Sequence, residues 1–170
     1  MAIDNCQYSF EKLADSIFPS YYSQVIEKLK SPRRMEDFAK PGIGERTMLK
    51  TMGLDTDFPG CYVFSNRGTP VYVGISRGVI KRLSQHVKGN THNDASLAYK
   101  MAFSHAPHED HRGQAMKNSE FRRMFDLAKR EIGKFYVAYI RIDNDLELHL
   151  FEAYCAMKLD TSTWNTFATH

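Results

Sequence analysis

Glu152 occupies the setting in this sequence that is hardest to satisfy without a partner of opposite charge. From Leu148 to Leu159 the chain reads Leu-His-Leu-Phe-Glu-Ala-Tyr-Cys-Ala-Met-Lys-Leu, and Glu152 is its only acid. On a helix its neighbours one turn away are Leu148, His149, Cys155 and Ala156. A carboxylate in so apolar a stripe is costly to bury unless it is paired or binds a cation. Mg²⁺ held by one carboxylate and by substrate phosphate oxygens meets that demand. A salt bridge to an arginine of the upstream hairpin meets it too. That upstream region is basic: no acid lies between Asp57 and Asp94, whereas Arg67, Arg77, Lys81, Arg82 and Lys88 all do. Such asymmetry suits phosphate binding, and equally a solvated helix face whose acids come from elsewhere in the fold.

Residues 58–86 position a second set of chemically useful groups. Val63 and Phe64, then Val71, Val73 and Ile75, are strand-like runs, and Ser65-Asn66-Arg67-Gly68-Thr69 between them has hairpin-turn chemistry. Gly74 allows close backbone approach, and Ser76 suits the N-cap of a helix over about 78–87. Val79, Ile80, Leu83 and Val87 form the apolar stripe of that helix, leaving Arg82 and His86 one turn apart on another face, near Lys81. A hairpin followed by a helix thus gathers Tyr62, Tyr72, Arg82 and His86 into one small area.

Gly60-Cys61-Tyr62, Tyr72-Val73-Gly74, Arg82 and His86 resemble the signature of the GIY-YIG nucleases. Nine residues separate Tyr62 from Tyr72, and Arg82 lies eight after Gly74, in keeping with that signature. Glu152 and Asn165 stand where the family places a glutamate on a later helix and an asparagine after it. Similarity covers about residues 58–88 and 135–165, with a divergent middle. Cys61 and Val73 replace the isoleucines of the motif, both small apolar substitutes in a strand.

The resemblance implies a role for each residue. Tyr62 contacts or deprotonates the attacking water, helped by a nearby cation because a free phenol titrates near pH 10. Tyr72 positions that water or the phosphate. Arg82 grips the scissile phosphate through its planar fork. His86 acts as general base or orients Tyr62. Glu152 holds the metal, Mg²⁺ or Mn²⁺, and Asn165 supports the site by hydrogen bonding. Hydrolysis of a phosphodiester needs a deprotonated water, charge stabilisation at phosphorus and neutralisation of the leaving oxygen.

At 170 residues and net charge +3, the chain is long enough for one compact domain and only weakly biased towards a polyanion. No apolar run approaches the roughly 20 residues that span a bilayer. With Asp4, Glu11 and Asp15 but no basic leader, the N-terminus does not read as a signal peptide. Cys6, Cys61 and Cys155, odd in number and scattered, read as reduced thiols of a cytoplasmic protein.

Two helices are predicted over residues 7–31, the first ended by Pro19 and the second by Ser31-Pro32. Pro41-Gly42-Ile43-Gly44 resembles the turn of helix-hairpin-helix DNA-binding motifs, in which Gly42 and Gly44 would offer backbone N–H groups to a phosphate. It also suits a plain helix–helix connection. Helices are predicted over about 94–103, 119–131 and 145–159, and a strand over 134–142, with no core element in 104–118. Arg122, Arg123, Lys129 and Arg130 line one side of the 119–131 helix. His105, His108 and His111 raise a structural Zn²⁺ site that Glu109 or Asp110 would have to complete, against the alternative of an exposed polar loop.

The expectation is an α/β fold: a small, mainly antiparallel three-stranded sheet flanked by helices, with a helical extension over 1–56 and a nuclease-like domain over 57–170 carrying an insert at about 89–133. The expected function is a divalent-metal-dependent DNA endonuclease, restriction-like in drawing its specificity from residues 1–56 and the insert. Structure-specific repair and homing are the alternative settings, and a non-cleaving DNA-binding module is the rival. DNA contacts fall to Arg67, Arg77, Lys81, Lys88, Arg122, Arg123, Gly42 and Gly44. A palindromic target would suit a dimer.

Overall fold

In the computed structural model, which describes residues 3–167, four strands lie in the order β1-β4-β2-β3. They are β1 (Arg33–Arg34), β2 (Gly60–Asn66), β3 (Thr69–Ser76) and β4 (Tyr136–Arg141). The expected three-stranded sheet is therefore a four-stranded one. The extra strand is two residues just after Pro32, too short to carry any alternation of apolar and polar side chains. β2 pairs antiparallel with both β3 and β4. Arg67 and Gly68, at φ +51° and +83°, make the hairpin turn, the positive φ that two-residue primed turns require.

The chain forms two units interleaved in sequence. The first holds residues up to Arg33, Thr56–Val79 and the chain from Tyr136 onward; the second holds Arg34–Asp55 and Ile80–Phe135. The boundary at Arg33 falls within the 1–56 segment.

In the first unit the helices α2 (Phe18–Leu29) and α8 (Asp145–Leu159) pack on the sheet. Their shared core joins Cys61 and Val63 of β2, Val73 of β3 and Ile140 of β4 to Phe18, Val25, Phe151 and Cys155. The other face of the sheet carries Tyr62, Phe64 and Tyr72, because side chains alternate along a strand. Tyr21 Oη donates to Glu147 Oε2 at 2.8 Å, tying α2 to α8; burial, then this hydrogen bond and the Glu147 charge, push the Tyr21 phenol pKa up.

Pro19 does not end a helix. The run passes from α1 (Phe10–Lys12) through a π-helical turn, Leu13–Ile17, directly into α2. In that wide turn Phe18 N–H reaches back to the Leu13 carbonyl, five residues earlier. Pro19 falls in the first turn of α2, where the ladder restarts and its missing N–H costs little.

The second unit contains α3 (Glu45–Thr51), α5 (Ser96–His105), a short α6 (Arg112–Ala115), α7 (Ser119–Gly133) and most of α4 (Val79–Lys88). Leu97, Ala98 and Ala102 of α5 are buried, as are Phe121, Phe125, Ala128 and Ile132 of α7, and the two helices pack together. The segment 104–118, expected to hold no core element, contributes α6 with Ala115 buried. Among the described residues no helix is long and apolar enough to cross a membrane.

Candidate functional site

Tyr62 and Gly74 are partners across the β2–β3 hairpin. A Cβ on residue 74 would lie 2.4 Å from both Oη and Cζ of Tyr62. The glycine therefore makes room for a side chain, the Tyr62 phenol, rather than for backbone. Tyr62 is only 1 % exposed, its ring 5.3 Å from that of Phe64 and 6.4 Å from that of Tyr72. At Gly60 the neighbour is backbone: a Cβ there would stand 2.1 Å from the Ile140 carbonyl oxygen.

Asn165 closes the outer side of β3. Its Oδ1 accepts the Val73 N–H and its Nδ2 donates to the Val73 carbonyl, each at 2.8 Å. The amide thus mimics a further strand residue beside Val73, between Tyr72 and Gly74.

Glu152 is half-buried on α8, with Leu148, Cys155 and Ala156 buried around it and His149 exposed. Its charge is felt at Cys61, whose thiol pKa is held well up, first by a hydrogen bond with Cys155, then by burial and by the charges of Cys155 and Glu152. Cys61 and Cys155, far apart in sequence, are thus neighbours; they and Cys6 are free and buried. Among the described residues no group of three or more His, Cys, Asp or Glu side chains is arranged to hold a metal. A lone carboxylate fits Mg²⁺, which keeps several waters and shares phosphate oxygens, and does not fit a closed four-ligand Zn²⁺ site.

Arg82 and His86 belong to the second unit. Ser76 Oγ accepts the Gly78 N–H at 3.1 Å, and α4 begins at Val79. One turn on, Arg82 is half-buried, and its Nη1 donates to the carbonyls of Asp94 at 2.8 Å and Asn93 at 3.2 Å. Its Nη2 donates to Ser96 Oγ at 2.8 Å. The guanidinium therefore ties down the residues that lead into α5, whose N-cap, Ala95, has no side-chain acceptor of its own. His86 is fully buried, and burial, then the Arg82 charge, holds its pKa well below the ordinary histidine range. Its imidazole is neutral near pH 7.

The residues expected to contact DNA are differently placed. Arg67 is exposed on the hairpin turn, and Arg77, also exposed, forms an ion pair with Asp145 at 2.7 Å. Lys81 and Arg123 are exposed. Lys88 donates to the Ile43 carbonyl at 2.8 Å and Arg122 to the Asn90 carbonyl at 3.0 Å, so both brace loops. Gly42, at φ +74°, and Gly44, at the N-cap of the seven-residue α3, are exposed. His105 and His111 are exposed as well, but His108 turns inward, its Nε2 3.0 Å from Tyr99 Oη. The three histidines form no metal group.

Sequence reasoning missed Asn93, Asp94 and Ser96 as partners of Arg82. Two of those acceptors are backbone carbonyls, which every residue possesses, so no residue type could have signalled them.

Comparison with protein-family models, with curated proteins and with solved structures gives no match.

Proposed function

We propose that this chain is a divalent-metal-dependent DNA endonuclease of the GIY-YIG kind, restriction-like, hydrolysing phosphodiester bonds. The observation that carries the reading is the fit of Tyr62 over Gly74. The last glycine of one motif accommodates the last tyrosine of the other, which holds the phenol in one place.

On this reading Tyr62 and Tyr72 present hydroxyl groups that orient the attacking water. Asn165 fixes the strand between them by locking Val73. His86, fully buried and with its pKa held well below the ordinary histidine range by burial and then by the Arg82 charge, is a weak proton acceptor, so on this reading it takes a positioning role rather than that of general base. The Arg82 fork grips a phosphate oxygen pair. Glu152 holds the metal, which when bound supplies Lewis-acid stabilisation of charge on the phosphoryl oxygens. The attacking water loses one proton to solvent, the new P–O bond forms as the old one breaks, and the leaving alkoxide takes a proton from a solvent water.

One observation favours the rival, a DNA-binding module that does not cleave. The Arg82 guanidinium is already bonded to Asn93, Asp94 and Ser96, and gripping a phosphate requires these bonds to be exchanged or shared.

Cleavage of supercoiled plasmid and of branched DNA by the wild type and Glu152→Ala, with Mg²⁺ or with EDTA, tests both. Metal-dependent cutting that vanishes in the variant supports the nuclease. Equal DNA binding by both proteins without any cutting supports the module.

A further inference from the structure

A cavity of about 270 Å³ in the second unit is lined by Tyr99, Lys100, Phe103, His108, Asp110 and Arg112. Its size lies near the lower end of small-ligand pockets, which run from about 300 Å³ upward. Tyr99 and Phe103 are one turn apart on α5, so both side chains fall on one face. The His108 ring stands edge-on to Phe103 at 5.1 Å and to Tyr99 at 6.1 Å, completing an aromatic wall. Its Nδ1 is enclosed without a hydrogen-bond partner. Phe103 is 40 % exposed, so one face of its ring is open to a ligand.

The charges are as specific as the rings. Arg112 lies over the Tyr99 ring, its guanidinium carbon 5.5 Å from the centroid, and both Arg112 and Asp110 are exposed. Lys100 adds a second positive charge. An apolar ligand gains nothing from two cations, and a simple anion gains nothing from the rings or the carboxylate. A nucleotide within a strand uses all three: its base stacks on an aromatic ring, its phosphates meet the cations, and its N–H edge donates to a carboxylate.

We infer that this pocket takes one unstacked nucleobase of DNA, stacked on Phe103, with flanking phosphates at Lys100 and Arg112 and a base N–H edge at Asp110. Guanine, through its N1–H and N2–H, offers the carboxylate two adjacent donors. The inference deepens the DNA-directed reading given above and rests on it. The base can come from a single strand or be extruded from a duplex.

The test is fluorescence anisotropy in EDTA, so that no cleavage intervenes. The probes are a thymidine oligonucleotide with one guanine, the same guanine within a duplex, and an all-abasic strand carrying phosphates alone. Phe103→Ala, altered at an exposed position, is expected to weaken binding of a guanine-bearing probe about 5- to 150-fold and to leave the abasic strand unchanged. Asp110→Asn is expected to remove any preference for guanine over thymine. A Phe103 effect on the strand assigns a single-stranded source; an effect only on the duplex assigns an extruded base. Wild type and Phe103→Ala binding both guanine probes equally would overturn the pocket. Plasmid cut normally alongside that equality sinks the pocket alone, whereas Phe103-dependent binding by a protein that cuts nothing sinks the nuclease and leaves the pocket.

Discussion

Gly74 and Tyr62 are built around each other: where any other residue 74 would carry a Cβ, the Tyr62 phenol lies 2.4 Å away. The ring is buried, so an added methyl must push it or part the strands. Gly74→Ala is expected to cost about 1–3 kcal/mol of stability, as overpacking commonly does. If Tyr62 orients the attacking water, the same displacement lowers plasmid cleavage by roughly 100-fold. Combining it with Tyr62→Phe should give less than the sum of the two effects on rate, since both act through one hydroxyl. Additive rate losses would separate Gly74 from the chemistry. Gly60→Ala makes the contrast: its Cβ meets a carbonyl oxygen of β4, which cannot rotate away. Denaturant midpoints should fall further for Gly60→Ala than for Gly74→Ala.

The Asn165 amide makes a two-way bond to Val73, and its two halves can be told apart. Asn165→Ala removes both bonds and is expected to cost about 1–3 kcal/mol in urea melts. Asn165→Asp keeps the acceptor but sets a second oxygen against the Val73 carbonyl. At neutral pH it should therefore be at least as harmful as alanine. Protonation of the new carboxyl restores a donor, so this variant alone should recover stability as the pH is lowered. No such recovery would mean that the Nδ2 bond contributes little.

The hairpin, α4, α7, α8 and β4 were legible because each carries a local signature: turn residues between alternating runs, or an apolar stripe at helical spacing. The N-terminal helix was misread at Pro19 because a π-helical turn, which has no residue pattern of its own, moved the proline to a tolerated position. β1 escaped because two residues cannot show a period. Within the candidate site, Gly74 was legible as a point of close approach, yet not what approaches it. Which atoms fill a missing Cβ is a tertiary fact. The same holds for Cys61 and Cys155, which read as scattered and lie together. Arg82 read, through the family resemblance, as a phosphate fork, and its carbonyl partners leave no trace in residue type.

His86 gives the protein an acid-sensitive element whose direction follows from its burial. Its folded pKa is well below 6.5, because burial and then Arg82 disfavour the charged ring. Unfolded, the same ring binds a proton once the pH falls below about 6.5. The unfolded state then holds more protons than the native state, so stability falls as the pH drops from about 6.5 towards the depressed folded value. Above about 6.5 both states are neutral and this residue adds no slope. Thermal melts from pH 7.5 to 5 should show the loss, and His86→Gln, which cannot titrate, should flatten that part of the curve. An unchanged slope in the variant would assign the acid sensitivity to other groups.

Arg82 is either a brace alone or a brace that also grips the scissile phosphate, and two variants tell these apart. Its bonds to Asn93, Asp94 and Ser96 hold the entry to α5 whatever else it does. Ser96→Ala removes one of these bonds and leaves the guanidinium in place; Arg82→Lys removes the fork while keeping the charge. If the arginine serves only as a brace, both variants should speed amide exchange around residues 93–97 and leave cleavage per folded molecule unaltered. If it also grips the scissile phosphate, Arg82→Lys should lower kcat by roughly 100-fold or more, while Ser96→Ala, by releasing the fork, should leave kcat intact or raise it. The two variants then move exchange in the same direction while only Arg82→Lys lowers cleavage, a divergence that a purely structural arginine does not produce.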